Sequence, residues 1–510
     1  MKFHLILANF LIVAVLHSQS LLTQANQLYE VGEYEEATPL FEKVFKSDTN
    51  NLNVRYKLAI CYLYNYYHDR ALNHLKYIYK KKPNYNAEIL YDLARAEHFN
   101  YLFDEAERHY RAYASRNTQD EDIQVAIDEL VKQCELGRKL LQKSSSFVIK
   151  SLGTAINTPY DEHSPVLSSD GNTLIFASGK PEEKKKTSTK DQPDEIYISY
   201  RDSSGNWSIP KKIILPGTGD KAPLQLVEND SKLIYFRYTT KPTVYVAGIK
   251  NSTVSQPANR IRKDNGQVTE LDAFMTFNGK SMYISTDDDN LNGTSDIFVS
   301  NVNKAGVWES FKKLSSKINT DYDEVCPFVT PDGKTLYFSS NGHGTIGGFD
   351  IFKCELDTVT GQWKEPVNAG IPLNTPGDDV YFYFSSKNPD KGVFASYRPG
   401  GVGERDLYEV INLENTKNVR VKGTITDQNK KIINSDIEVL FYDMKTKALQ
   451  DRFVYKNNPK QYDVVLTIKS KYEMIVKQKD KIIFKGQFDT PPVQDKTNYY
   501  IINDFSINLP

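Results

Sequence analysis

The chain has 510 residues, too many for one hydrophobic core, so three or four domains are expected. Its 64 basic and 65 acidic residues leave a net charge of −1, which excludes both an electrostatic footprint for nucleic acid and a field that steers a charged partner. Tyrosine (33) and phenylalanine (25) are plentiful while methionine (5) is scarce, the bias of strand-rich domains.

The first segment, 1–18, reads as a secretory signal peptide. Lys2 is positive, Leu5 to Leu16 is apolar, and His17-Ser18-Gln19 is a polar exit with cleavage expected after Ser18. The apolar run is short for a bilayer span and no second one follows, so export is expected; an uncleaved membrane anchor is the rival. No cysteine near the site suggests a lipid anchor. Cys61, Cys134, Cys326 and Cys354 lack CxxC spacing and make no zinc site. Buried free thiols are expected, with a Cys326–Cys354 disulfide as the alternative.

Residues 19–142 repeat with a period near 34. Small residues fall at Ala37, Ala71 and Ala106, each followed four residues later by Phe41, Leu75 or Tyr110; Ala25, Ala59 and Ala94 recur one helix upstream. Gly32-Glu-Tyr34 marks the first inter-helix turn and Pro83 stops the second repeat. Helix pairs of this size bury their apolar faces only by stacking. The pattern resembles the tetratricopeptide repeat, with 119–142 as a capping helix. That resemblance implies a concave groove for a partner's peptide or helix. Tyr62, Tyr64, Tyr66 and Tyr67 fit either that groove or inter-repeat packing.

From 147 to 412 the period changes to about 54. Ile156-Asn-Thr-Pro-Tyr-Asp-Glu162 returns as Ile318-Asn-Thr-Asp-Tyr-Asp-Glu324 and as Leu373-Asn-Thr-Pro-Gly-Asp-Asp379. Each unit carries a turn dipeptide (Asp170-Gly171, Asn229-Asp230, Asn278-Gly279 or Asp332-Gly333) and then an alternating strand. Asp296-Ile-Phe298, Asp350-Ile-Phe352 and Asp406-Leu-Tyr408 follow. Trp207, Trp308 and Trp363 each stand two residues after glycine. Each unit is one four-stranded blade, giving a β-propeller of five blades, or six with one degenerate. Phe147 to Leu152 aligns with the tail of the third unit and is expected to complete the last blade. The units resemble the WD40-like repeat of TolB-type propellers, which implies a protein-binding platform.

Carboxylate pairs led by Asp161, Asp323 and Asp378 recur in register, the mark of a structural device that bonds backbone where strands begin; acid–base catalysis needs one specific pair. Asp288, Asn290 and Asn292 open like a calcium loop to which Asp296 could add a ligand, but Val299 stands where the pattern requires glutamate. A polar inter-strand loop is expected there, and no cofactor. No HExxH, no nucleophile elbow and no phosphate loop occur. Lys184-Lys-Lys186 belongs to a solvated insertion. An enzymatic propeller requires acidic or histidine residues gathered at its centre and out of register, and none is evident.

Residues 417–510 form short alternating strands, including Ser435 to Tyr442, Gln461 to Ile468 and Tyr472 to Gln478, the pattern of a small antiparallel β-sandwich. Val421-x-Gly423-x-Ile425-x-Asp427 resembles the opening of a carboxypeptidase regulatory-like (transthyretin-like) domain. The domain order is similar to that of PorE-like periplasmic proteins of Bacteroidota. The resemblance implies a non-enzymatic scaffold in the periplasm, at the inner face of the outer membrane, within or beside the type IX secretion and gliding machinery. Its expected partners are an outer-membrane β-barrel or a secretion-complex subunit. Those relatives usually end in an OmpA-type peptidoglycan-binding domain, and no residues of one are found before Pro510; a truncated gene reading would look the same. The alternatives are a glycan- or peptide-binding propeller of a polysaccharide-uptake system, and a TolB-like accessory of another envelope complex.

Overall fold

The computed structural model describes residues 20–143, 145–180, 193–202, 205–239, 243–250, 253–254, 259–260, 269–287, 294–414, 418–426, 437–454, 462–478, 481–490, 500–502 and 504–506. Among the described residues it is a mixed α + β structure, with seven helices followed by mostly antiparallel sheets. The signal segment, the lysine insertion and Asp288, Asn290 and Asn292 lie outside the described residues. Among the described residues no helix is long and apolar enough to cross a membrane.

The helices are α1 (20–30), α2 (Tyr34–Ser47), α3 (Leu52–Tyr64), α4 (His68–Lys81), α5 (Ile89–Phe99), α6 (Phe103–Ala114) and α7 (Glu121–Leu141). Asn51 caps α3 by accepting from the Asn53 and Val54 amides, and Asp120 caps α7 through the Ile123 amide. Ala37, Ala71 and Ala106 are fully buried, as are Ala25, Ala59 and Ala94, so the helices approach closely at each alanine. Phe41, Leu75 and Tyr110 fill the space beside them in one continuous core. Cross-links between the first helices of successive pairs run from Lys57 to Glu30 (3.0 Å) and from Tyr56 to Asp92 (2.5 Å). Helices α1, α3 and α5 therefore line one face.

Five sheets follow. The first strand of each is Glu162–Leu167, Asp220–Val227, Thr269–Met275, Glu324–Val329 and Asp379–Phe384. Each first strand touches the next, and the fifth touches the first, so the sheets close into a cycle. Phe147–Ser151 pairs antiparallel with Asp406–Asn412 and supplies the outer strand of the fifth sheet. The turn dipeptides take the left-handed backbone that such hairpins demand, at φ +75° for Gly171, +66° for Gly279 and +71° for Gly333. Cys61, Cys134, Cys326 and Cys354 are buried free thiols.

The C-terminal part departs from the expected antiparallel sandwich. Ile437–Asp443, Leu449–Val454, Lys471–Gln478 and Lys481–Asp489 do form an antiparallel sheet. Opposite it, Asn418–Gly423 pairs antiparallel with Tyr462–Thr467 but parallel with Tyr500–Ile502, and Ile425–Thr426 pairs parallel with Phe505–Ser506. Alternation reports which residues point inward and is blind to strand direction, so the sequence pattern could not reveal the parallel return. This unit docks on the ring through Lys150–Asp451, an Arg452–Asn206 hydrogen bond and a small cluster of Val148, Ile411, Leu413 and Val465.

The array meets the ring through its intra-pair turns. Gly32, Tyr66 and Tyr101 occupy equivalent positions, all with positive φ (+82°, +60° and +60°). A tyrosine in that region costs about 1 kcal/mol relative to glycine. Both tyrosines pack on the ring: Tyr66 stacks on Tyr397 with centroids 3.9 Å apart, and burial raises the Tyr101 hydroxyl to about 12 beside Arg398 and Asp379. His98 Nε2 is hydrogen-bonded to the Ile346 carbonyl (2.9 Å) and Gln133 donates to the Gly347 carbonyl (3.0 Å). Replacing both tyrosines (Tyr66→Gly with Tyr101→Gly) relieves the backbone but removes the joint's aromatic packing. Tryptic cleavage after Lys143 should then accelerate on the order of tenfold, read by mass spectrometry of a digestion series.

Candidate functional site

The repeated Asn-Thr-x-x-Asp-Glu segment lies at the junctions of the ring and explains its own recurrence. Asn157, Asn319 and Asn374 each reach the preceding sheet and bond both backbone groups of one residue there: Leu407, Ile297 and Ile351. Asp323 accepts from the Ser295 amide and Asp378 from the Phe349 amide, again across a junction, whereas Asp161 takes a two-point ion pair from Arg405. The acid that follows each aspartate turns inward. Glu162 accepts from Thr158 N, Thr158 Oγ1 and Ser178 Oγ; Glu324 accepts from Thr320 and Ser340 in the same way, and Asp379 from Thr375 and Ser396. The second junction keeps Asp220, which accepts from the Asp194 amide. It replaces the glutamate with Lys221, bonded to Glu195, which is why this unit is faint in sequence.

Burial pushes the Glu162 carboxyl up to about 8, assisted by the nearby Asp406, and burial lifts Asp379 and Asp406 to about 6. These acids are buried inside the wall, an arrangement for holding sheets together.

The tryptophans keep their common position but not a common environment. Trp207 is buried under Arg201 (4.4 Å), and Trp363 packs partly on the ring core. Trp308 is 41% exposed and outside that core. Val302 stands opposite Trp308 where Arg201 stands opposite Trp207, so the cation that covers Trp207 has no counterpart at that position. Asp296, the fourth residue of the calcium-loop candidate, is buried and paired with Lys313, and its three companions lie outside the described residues. Among the described residues no cluster of three or more His, Cys, Asp or Glu could hold a metal ion.

At the axis the structure gathers residues that the sequence reading passed over. Every first strand shifts register, at His163/Val166, Pro223/Gln225, Glu270/Asp272, Val325/Phe328 and Val380/Tyr383. Ser164, Cys326 and Tyr381 take positive φ there (+49°, +54° and +58°). Such bulges re-aim side chains, here into a small chamber that also meets Asp272. Asp272 accepts from Ser285 Oγ (3.1 Å) and the Cys326 amide (3.2 Å), and burial raises its pKa. His163 is bonded through Nδ1 to Ser164 Oγ (2.9 Å) and through Nε2 to Asp194 (3.1 Å). Ring closure thus brings one acidic residue, Asp272 of the third sheet, to Ser164, Cys326 and Tyr381 at the centre, whereas His163 and Asp194 bond to each other within the first sheet. Pro165, Pro223 and Pro327, inside strand patterns, were the available signal, because proline in a strand marks a bulge.

Chemically, a serine–histidine–aspartate chain can pass a proton, but a nucleophile must also meet its substrate. Ser164 is 4% exposed and the chamber has a volume of about 40 Å³. Phe274 and Phe328 (5.0 Å) and Phe328 and Tyr383 (5.2 Å) plug it. Burial, with Asp272 adding to it, holds the Cys326 thiol well above its usual range, in the unreactive protonated form.

On the array, the tyrosine cluster divides. Tyr62 is buried and donates to Glu42 (2.6 Å), Tyr66 belongs to the joint, and Tyr67 lies under Arg70 (4.9 Å). Tyr64 is 49% exposed, stacked on Tyr34 (4.4 Å) and overlain by Arg95 (5.3 Å).

No protein-family model matches the chain, and no curated protein matches it in sequence. Among solved structures it is similar to the P58(IPK) TPR domain, at 22% identity over 26% of this chain and 36% of that one, with a TM-score of 0.22. The chain thus spans about a third of that domain. It is also similar to the periplasmic gluconolactonase PpgL of Pseudomonas aeruginosa (9% identity, 65% and 86% coverage, TM-score 0.28) and to a glycosyl hydrolase from Bacteroides ovatus (10%, 49% and 84%, 0.32).

The raised Glu162 gives a pH prediction. A carboxyl whose folded pKa lies above its unfolded value stabilises the fold fully below the unfolded value, near 4.5, and loses that contribution as pH rises through about 8. The thermal midpoint of the ring should fall by about 5 °C between pH 5 and pH 9, and Glu162→Gln should flatten that part of the profile. Differential scanning calorimetry of both proteins across the range checks it.

Proposed function

We propose that the chain is a non-enzymatic scaffold of the cell envelope, in which a tetratricopeptide array and a five-bladed propeller present docking surfaces and a regulatory-like sandwich braces the ring. The observation that carries this reading is the plugged axis. A substrate site in a ring of sheets needs about 300 Å³ or more, and the chamber holds about 40 Å³. The similarity to PorE-like proteins supports a place in the periplasm, at the inner face of the outer membrane, within or beside type IX secretion and gliding machinery. An outer-membrane β-barrel or a secretion-complex subunit is the proposed partner.

A second reading, a glycan- or peptide-handling propeller of a polysaccharide-uptake system, is favoured by Ser164 and Asp272 at the axial chamber and by the His163–Asp194 pair bonded to Ser164 behind it. An affinity pull-down of the mature chain from native envelope extract, with mass spectrometry of what is retained, separates the two. Recovery of an outer-membrane barrel or secretion-complex subunits is the expected result. Retention of glycans alone, with turnover lost in His163→Ala, would replace the scaffold with the second reading.

A further inference from the structure

Two junctions of the ring are filled differently. Where the fifth sheet meets the first, Trp207 is buried beneath Arg201 (4.4 Å), and Arg201 ion-pairs with Glu409 of the fifth sheet (2.7 Å). Glu195, Asp296, Asp350 and Asp406 hold the same place in their sheets. Counting from them, Val299 of the third sheet stands where Glu409 stands in the fifth, and Leu356 of the fourth stands where Arg201 stands in the first. Leu356 lies opposite Trp363 as Arg201 lies opposite Trp207. Two short aliphatic side chains thus replace a long ion pair, and a pocket of about 460 Å³ is left between the third and fourth sheets.

Phe277, Tyr283 and Trp363 wall this pocket, and the Trp363 indole is hydrogen-bonded to the Tyr283 hydroxyl, which fixes the tilt of the rings. Asn278, Asn301 and Gln362 line it as exposed side chains. The Asn278 carbonyl oxygen accepts from the Lys280 amide (2.9 Å) and that of Asn301 from Ser281 Oγ (2.7 Å). Their amide nitrogens have no hydrogen-bond partner among the described residues and remain as donors. No carboxylate or imidazole lines the pocket, and its one cation, Lys313, is paired with Asp296.

We propose that this pocket binds a neutral saccharide of about one or two rings. A sugar carries C–H groups on the faces of its ring and hydroxyls around the edge. The faces lie well against aromatic side chains, while the edge bonds to amides and hydroxyls at the mouth. A charged ligand would find no free counter-charge here. The pocket supplies no acid or base to break a glycosidic bond, so the sugar is held and not cleaved. This site does not depend on which protein the scaffold docks.

Saturation-transfer difference NMR on the full mature chain, with the methyl β-glycosides of glucose, galactose and mannose at millimolar concentration, tests it. At least one glycoside should receive transfer, strongest at the ring C–H protons that face the aromatic wall. Trp363→Ala should weaken binding on the order of tenfold. Val299→Glu with Leu356→Arg rebuilds the ion pair of the filled junction and should abolish transfer, with the thermal midpoint close to the parent's. Asn301→Ala with Gln362→Ala alters only exposed side chains and should weaken binding on the order of tenfold as well. Transfer to none of the three glycosides overturns the proposal, as does undiminished transfer in either double variant. Tighter binding of N-acetylphenylalanine amide than of every glycoside would assign the pocket to an apolar peptide side chain and also overturn it.

Discussion

Phe147–Ser151 joins the last sheet of the ring, and much of the structure depends on that pairing. A cycle of sheets built from consecutive segments has two free ends, and it closes only if some strand bridges them. Here the bridging strand comes from the N-terminal side of the ring and pairs with Asp406–Asn412, so the last sheet contains both ends of the ring segment. The same strand leaves the end of α7 almost directly, which places the array against the ring with few residues between them. Its outer surface, through Val148 and Lys150, is also where the C-terminal unit docks. One five-residue pairing thus closes the ring, positions the array and seats the sandwich.

The junctions between sheets are polar, which is unusual for surfaces that must stay buried. Each asparagine satisfies both backbone groups of one residue in the neighbouring sheet, and each threonine–acid pair bonds itself, while beside them one carboxyl oxygen of each of Asp296, Asp350 and Asp406 is buried without a hydrogen-bond partner among the described residues. Directional bonds of this kind fix the angle between sheets more sharply than apolar packing could. The cost is a set of buried carboxyls raised toward or past neutrality, Glu162 most of all. At the centre the order reverses: aromatic rings fill the axis, and a few strained polar residues border a chamber fit for solvent.

The ring is filled by aromatic side chains at its axis and carries the array on its side. The array's turn tyrosines serve the joint, leaving the face of α1, α3 and α5 with Arg95 over the exposed Tyr64. The internal repeat shows how like positions diverge. The turn before Trp207 is used by the C-terminal unit through Asn206, and the turn before Trp308 is open.

How much of this was legible in the sequence follows from the range of the forces involved. The helix pairs, the hairpin turns and the period of the ring rest on local geometry: alanine where helices touch, glycine or asparagine where φ must be positive, alternation along strands. The closing strand was legible too, because Phe147 to Leu152 repeats the tail of the third unit. Ala37, Ala71, Ala106, Asp161, Asp323 and Asp378 announced themselves by recurring, and recurrence marks architecture. The axial cluster had no such mark. Ser164, Asp272, Cys326 and Tyr381 come from four different sheets, and only ring closure makes them neighbours. Strand direction in the C-terminal unit and the bare Trp308 were likewise decided by long-range packing. Each depends on which surface another part of the chain covers, and hydrophobic pattern along a strand or helix carries no record of that.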